Sequence, residues 1–246
     1  MSEMRGKVRT REEIISVFKD GMTIGVGGQA GAYMPWSLLD MLEESGVKHL
    51  TICSIDACNP GFAISRLIEN GQVDRMLTTH IGTNPIASRM MLEGKLEIEL
   101  SPMGSFIERM RAGGAGLGGI LTKTGLGTDV EEGKQKVVIK GEEYLVEEAV
   151  HCDVALTRCR RADPLGNLAY HGTGTAGHPI IATCADISIV QVDLYCDLNE
   201  ISPDEIKVPS IYTDMLYIGE HEANHLIGRI KADILGLEYN RDGGLA

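Results

Sequence analysis

Apolar positions along the chain fall into two alternating textures. Short runs that are apolar throughout, such as "MTIGV", "HLTICSI" and "VDRMLTTHIG", read as strands buried on both faces. Between them lie segments with helical spacing: "WSLLDMLEESG", "GFAISRLIENG", "NPIASRMMLEG" and "SPMGSFIERMRAGG". Thr10 with Glu13 forms a capping box that opens a helix over "REEIISVFKDG", with a stop at Asp20-Gly21. "KLEIEL" alternates and predicts a short strand, and Lys140-Gly141 marks a hairpin within "KQKVVIKGEEYLVEEAV". "CDVALTRC", "GNLAY" and "ADISIVQVDL" supply further strands. The alternation predicts an α/β fold: one open, mostly parallel sheet with helices on both faces.

Composition narrows the setting. Of 246 residues 43% are hydrophobic, with three phenylalanines, one tryptophan and eleven methionines, so the core is expected to be aliphatic. A net charge of −12 without a basic block disfavours nucleic acid and anionic membranes as partners. No run approaches the length of a membrane span, and the charged start lacks a signal-peptide pattern. The six cysteines are scattered without a CxxC pair, several in apolar runs, as buried thiols of a reduced, cytoplasmic protein would be.

Candidate chemistry concentrates where glycine replaces side chains. "GVGGQAGAYMP" (25–35) sits after a strand and before a helix, the place where bare backbone can meet a phosphate, a nucleotide or a tight packing contact. Gly25, Gly27 and Ala30 fit G-x-G-x-x-A with Asp56 ending the next strand, a dinucleotide-binding outline that keeps an NAD(P) oxidoreductase open as a remote alternative. A second glycine-rich segment, 113–119, suggests a shared site with the first. Glu108, Arg109 and Arg111 before it read as surface charges, with an arginine as a conceivable phosphate partner. "HEANH" (His221 to His225) matches H-E-x-x-H but has no distinguishable third ligand, so two surface histidines are expected there and no metal site. Glu69 in "IENG" reads as a helix end at Asn70-Gly71 rather than as a nucleophile.

In order, "DGMTIGVGGQAGAYMP", "THIGTNP", "GKLEIELSPMGSFIERMRAGGAGLGGILTKTGLGT", "VEEGKQ" and "ADPLGNLAY" resemble the alpha (A) subunit of family I CoA-transferases. The resemblance covers roughly residues 10–218. It implies an alpha-subunit domain over 1–218; beyond it, helical periodicity in the first part of "EHEANHLIGRIKADILGLEYNRDGGLA" makes 219–246 a helical tail. It implies CoA and acyl-CoA as substrates, a small carboxylic acid as acceptor, and no permanently bound cofactor. The CoA-binding loop carries over as Gly27, Gly28, Gln29, Ala30, Gly31, Ala32 and Tyr33. The nucleophilic glutamate belongs to a beta subunit in that family, so a beta partner in an α2β2 heterotetramer is implied.

Three departures from the family pattern bear on the chemistry. Gln29 stands where the family has Phe, and Tyr33 where it has glycine. Met103, before Gly104, replaces a glutamine whose amide helps form the oxyanion hole; losing one such donor costs about 3 kcal/mol. "HGTGTAGHP" replaces an expected Ala-Arg-Asn stretch, bringing in His171 and His178. Gln29, Met103, Gly104, His171 and His178 are therefore the candidates for the oxyanion and acyl pocket. Either the Gln29 amide substitutes for the missing donor, or a histidine serves as base for hydrolysis or another acyl-CoA reaction.

Overall fold

The computed structural model describes residues 6–219, 239–240 and 244–245. Its centre is one eight-stranded sheet. Along the chain, its first strands are β1 (Thr23–Val26), β2 (Leu50–Asp56), β3 (Val73–His80) and β4 (Glu97–Leu100). They are joined later by β8 (Cys152–Ala162), β10 (Ala185–Tyr195) and β11 (Met215–Ile218). The spatial order is β11-β10-β8-β1-β2-β3-β4, with every one of these pairs parallel. The eighth strand, β9 (Leu168–Ala169), folds back antiparallel on β8. A separate antiparallel sheet, β5-β7-β6, is built from β5 (Gly119–Thr122), β6 (Lys136–Ile139) and β7 (Glu142–Glu148).

Successive strand residues face opposite layers, and the sequence uses both. Ile24, Val26, Ile52, Val154 and Leu156 join one core. That core is closed by α1 (Arg11–Ile15), α2 (Trp36–Ser45), α3 (Ile64–Glu69) and α4 (Pro85–Leu92), whose Ile14, Leu38, Leu39, Leu42, Leu67 and Ala87 are buried in it. Cys53, Ile55, Leu77 and Ala155 face the other layer, under Phe106 and Met110 of α5 (Met103–Gly114) and Ile181 of α6 (His178–Ile181). Five of the six cysteines are buried and all six are unpaired. No described helix is long and apolar enough to cross a membrane.

The elements follow the sequence expectations with three differences. The capping box is formed, but α1 ends at Ile15 instead of Asp20. The Ser16 hydroxyl donates back to the Glu13 carbonyl at 2.7 Å, and Phe18 N–H reaches Ile15 rather than a carbonyl four residues back. These local bonds tighten and close the turn. Arg109 is not a surface charge: it is 8% exposed, paired with Glu99 at 2.6 Å, and donates through Nε to the Glu148 carbonyl at 2.8 Å. Finally, the two glycine-rich segments do not share a site. A Cβ on Gly113 would lie 1.9 Å from the Val150 carbonyl oxygen, at the entry to β8. Segment 25–35 leaves the opposite, C-terminal end of β1, which runs parallel to β8. Gly113 is needed for close backbone packing, not for a ligand.

The proposed tail, 219–246, lies almost wholly outside the described residues, as do His221 to His225. Within it, β12 (Tyr239–Asn240) and β13 (Gly244–Leu245) pair antiparallel.

Candidate functional site

Strand order reverses its direction of growth at β1. Elements β2, β3 and β4 extend the sheet one way, while β8, β10 and β11 extend it the other. In open parallel sheets the crevice beyond the strand ends at such a reversal is the usual ligand site. Residues 27–33 leave β1 at this point, tied to β8 by Gly27 N–H donating to the Leu156 carbonyl at 3.0 Å.

The loop is held in a backbone path that ordinary residues resist. Gly28 has φ +109, and a Cβ there would lie 2.2 Å from the Met34 sulfur. Ala30 and Tyr33 adopt φ +49 and +57 without being glycine. Such conformations cost on the order of 1–3 kcal/mol each and persist when their surroundings enforce them. Here Gln29 and Ala32 exchange backbone hydrogen bonds at 3.2 and 2.7 Å. Asp56 at the end of β2 accepts from Ala30 N–H at 2.5 Å and from Cys58 N–H at 2.8 Å. Both carboxylate oxygens are thus committed to main-chain amides and Asp56 is 5% exposed, which removes it as the ribose ligand that a dinucleotide site requires.

Beneath the loop lies a buried polar layer. Arg158 of β8 pairs with Asp193 of β10 at 2.7 Å, and its guanidinium lies 4.8 Å from the Tyr33 ring centroid. Tyr33 Oη donates to Asp193 at 3.4 Å. Burial, reinforced by the Asp193 charge, raises the Tyr33 pKa, so its phenol stays protonated. His178, the first residue of α6, is 0% exposed. Its ring stands edge-on to Tyr33 at 5.4 Å, and its Nδ1 accepts from Arg158 N–H at 3.1 Å. Burial, then the Arg158 cation, lowers its pKa to about 3, against an opposing pull from the Tyr33 backbone.

Above this layer opens a cavity of about 300 Å3 lined by Gly28, Gln29, Ala30, Ala32, Thr173 and Ala176. The structure therefore brings Gly28, Gln29, Ala30 and Ala32 together with the loop after β9. Gly27, Gly31 and Tyr33 support the same loop without lining the cavity. His178, expected at the pocket, sits under it as a neutral packing residue whose one lone-pair nitrogen is already engaged. His171 is exposed at the start of the 171–177 loop. Met103 and Gly104 open α5, Met103 at 45% exposure, and neither lines the cavity. Thr173 and Ala176 were not among the expected site residues; the departure "HGTGTAGHP" was the signal in the sequence, read there through its histidines alone. Glu69 caps its own neighbourhood, accepting from Gly61 N–H at 2.8 Å and the Ser65 hydroxyl at 2.6 Å. It ends the helix that leads into the N-terminal end of β3, away from the cavity.

The lining offers main-chain groups, one amide and one hydroxyl, with no carboxylate. Such a surface can offer hydrogen bonds to a ligand oxygen, but it holds no carboxylate to act as a nucleophile.

Comparison with known proteins gives the family. The sequence profile of the family described as Coenzyme A transferase matches residues 8–218. Acetate CoA-transferase subunit alpha of Escherichia coli K12 is 42% identical over 217 residues, covering 88% of this chain and 99% of that one. The alpha subunit of acetoacetyl-CoA:acetate/butyrate CoA transferase from Clostridium acetobutylicum is 41% identical over 208 residues, 85% of this chain and 95% of that one. Among solved structures, the acyl-CoA transferase YdiF of E. coli O157:H7 superposes with a TM-score of 0.78 at 22% identity, over 87% of this chain. The chain spans 47% of that longer polypeptide, about half, so this likeness speaks for the fold. With the profile covering residues 8–218 and two alpha subunits matched at above 40% identity over nearly their whole lengths, the chain belongs to the coenzyme A transferase family as an alpha subunit.

Proposed function

We propose that this chain binds the acyl-CoA half of a two-subunit active centre that moves CoA between short-chain carboxylic or 3-oxo acids. The reading rests above all on the cavity at the β1/β8 reversal, which presents glycine-loop backbone and the Gln29 amide but no carboxylate. A glutamate of a β-type partner attacks the donor thioester carbonyl. The C–S bond breaks, giving an acyl–glutamyl anhydride and CoA thiolate. The thiolate then attacks the glutamyl carbonyl, releasing the donor acid as carboxylate and leaving a glutamyl-CoA thioester, which the acceptor acid resolves through the same steps reversed.

In this scheme residues 27–33 hold the pantetheine end of CoA, and Gln29 donates to the thioester oxygen in place of the amide that Met103 lacks. Gln29 lines the cavity and Met103 does not, which supports that exchange. Hydrolysis through His178 is disfavoured, because a neutral, fully buried imidazole with Nδ1 engaged has no path to a water. The assembly is an α2β2 heterotetramer. Five buried, unpaired cysteines suit a reducing cytoplasm.

The test is reconstitution. The folded chain alone should show no CoA transfer from acetoacetyl-CoA to acetate. Adding the β-type partner should restore turnover, and hydroxylamine should then trap a glutamyl thioester on the partner. Full turnover by the pure chain alone refutes the reading.

A further inference from the structure

The cavity has two walls, and recognition of CoA accounts for one of them. The second comes from residues 171–177, through Thr173 and Ala176. Three features make that wall stiff. The Thr175 hydroxyl donates to the Gly172 carbonyl at 2.7 Å, and Gly174 N–H to the His171 carbonyl at 3.2 Å. Gly174 lies flat against Tyr33, where a Cβ would come 2.4 Å from the ring carbon Cε1. Immediately after the loop, His178 is anchored to the β8 backbone.

Size points to what the wall measures. Small-molecule pockets run roughly from 300 to 1,000 Å3, so a cavity of about 300 Å3 has room for an acyl group of several carbons but not for the whole of CoA. Its lining is mainly methyl and methylene surface, from Ala30, Ala32, Ala176 and the aliphatic parts of Gln29 and Thr173. A stiff wall sets how far an alkyl chain extends on the side it closes, so the sizes of the side chains at 173 and 176 fix the room left there.

We propose that Thr173 and Ala176 set the acyl-length selectivity of the enzyme, forming the far wall against which the alkyl end of a short unbranched acyl group rests. The proposal rests on the acyl-CoA reading above. The loop on which it stands is the segment where this chain departs from the family pattern, so the selectivity it sets belongs to this chain.

Calorimetric binding of non-cleavable thioether analogues of acetyl-, butyryl- and hexanoyl-CoA to the complex of this chain with its β-type partner tests it without requiring turnover, since the thioesters themselves would acylate the partner. Both residues are exposed, so substitutions leave the core intact. Ala176→Leu and Thr173→Leu should weaken the hexanoyl analogue by about 10- to 200-fold while shifting the acetyl analogue by less than about 2-fold. Ala176→Gly and Thr173→Ser should shift the preference toward the longer chain. A uniform change across the three analogues, or none in all four variants, overturns the proposal. Length-selective binding without CoA transfer to acetate would instead remove the transferase reading and leave the wall assignment standing.

Discussion

The imidazole of His178 fills the space that a side chain on Gly27 would need. A Cβ on Gly27 would lie 2.3 Å from Nδ1 and 2.5 Å from Cε1 of that ring. The first glycine of the loop is therefore fixed by a residue some 150 positions away, and the two form one packing unit. Gly27→Ala should destabilise the chain by about 1–3 kcal/mol, as overpacking a filled core does. In a His178→Ala background the same substitution should cost less, with a coupling of about 1 kcal/mol or more in a urea-denaturation cycle. Additive effects would show that the contact carries no strain.

The same burial gives stability a pH dependence with a definite sign. In the folded chain His178 stays neutral down to a pKa of about 3, whereas in the unfolded chain it protonates near 6.5. Between these values the unfolded state holds the extra proton, so stability present above pH 6.5 is lost as pH falls toward 3. From pH 6.5 to 5, before most carboxylates titrate, the loss from this one group is about 2 kcal/mol. Urea midpoints across that interval should fall in the native chain and flatten in His178→Gln. An unchanged slope in the variant would assign the effect elsewhere.

Those two residues also show what the sequence makes legible. Strands and helices were readable because their cues are local: apolar runs, Gly46 closing α2 at φ +67, and Lys140-Gly141 turning the β6–β7 hairpin at φ +52 and +82. The glycine loop was readable as a loop that needs bare backbone. What it packs against was not, because β8 enters beside β1 from more than a hundred residues downstream. That pairing creates the reversal in strand order, carries Arg158 under Tyr33 and puts His178 under Gly27. Likewise, nothing near Arg109 in the chain reveals that a separate three-stranded sheet covers it. The Thr173–Ala176 wall was hidden for a different reason: small side chains give little chemical signal, and the neighbouring histidines drew attention instead.

Asp56 holds the loop by accepting from Ala30 N–H and Cys58 N–H. Asp56→Ala should cost about 1–3 kcal/mol, since the Cys58 N–H is left buried without its acceptor. The relaxed loop should also raise the KM for acyl-CoA in the complete enzyme. Asp56→Asn keeps one accepting oxygen and should lose less on both counts. If Ala and Asn behave alike in denaturation and in KM, the carboxylate is not what positions the loop.

Gln29 is exposed at the cavity, with its backbone engaged across to Ala32 and its side chain free of any role in the core. Gln29→Ala should therefore leave the denaturation midpoint within about 0.5 kcal/mol of native. If the amide serves the thioester oxygen, kcat should drop by about 10²- to 10³-fold, the effect of deleting one oxyanion donor. Gln29→Glu should fail equally, because a carboxylate accepts where a donor is needed. Unchanged kcat in either variant eliminates the oxyanion role.

Arg109 bears on stability independently of the cavity. Its guanidinium joins α5 to β4 through Glu99 at 2.6 Å and to β7 through the Glu148 carbonyl at 2.8 Å. Glu147, 1% exposed, lies 3.9 Å away and is neutralised mainly by Lys134 at 2.6 Å. Removing the arginine leaves Glu147 with one cation and Glu99 with Arg75, inside a layer where uncompensated charge is costly. Arg109→Met leaves each carboxylate one cation but loses both hydrogen bonds, each worth about 1.5–3 kcal/mol, and should destabilise by about 3–5 kcal/mol. Arg109→Lys keeps the charge but lacks the planar fork, so it should lose about 1.5–3 kcal/mol, near the worth of one hydrogen bond to a charged group. Since Arg109 lines no part of the cavity, the KM for acyl-CoA measured well below the melting midpoint should stay native in the lysine variant. A KM that rises as stability falls would mean that the three-stranded sheet, through α5, also holds the crevice open.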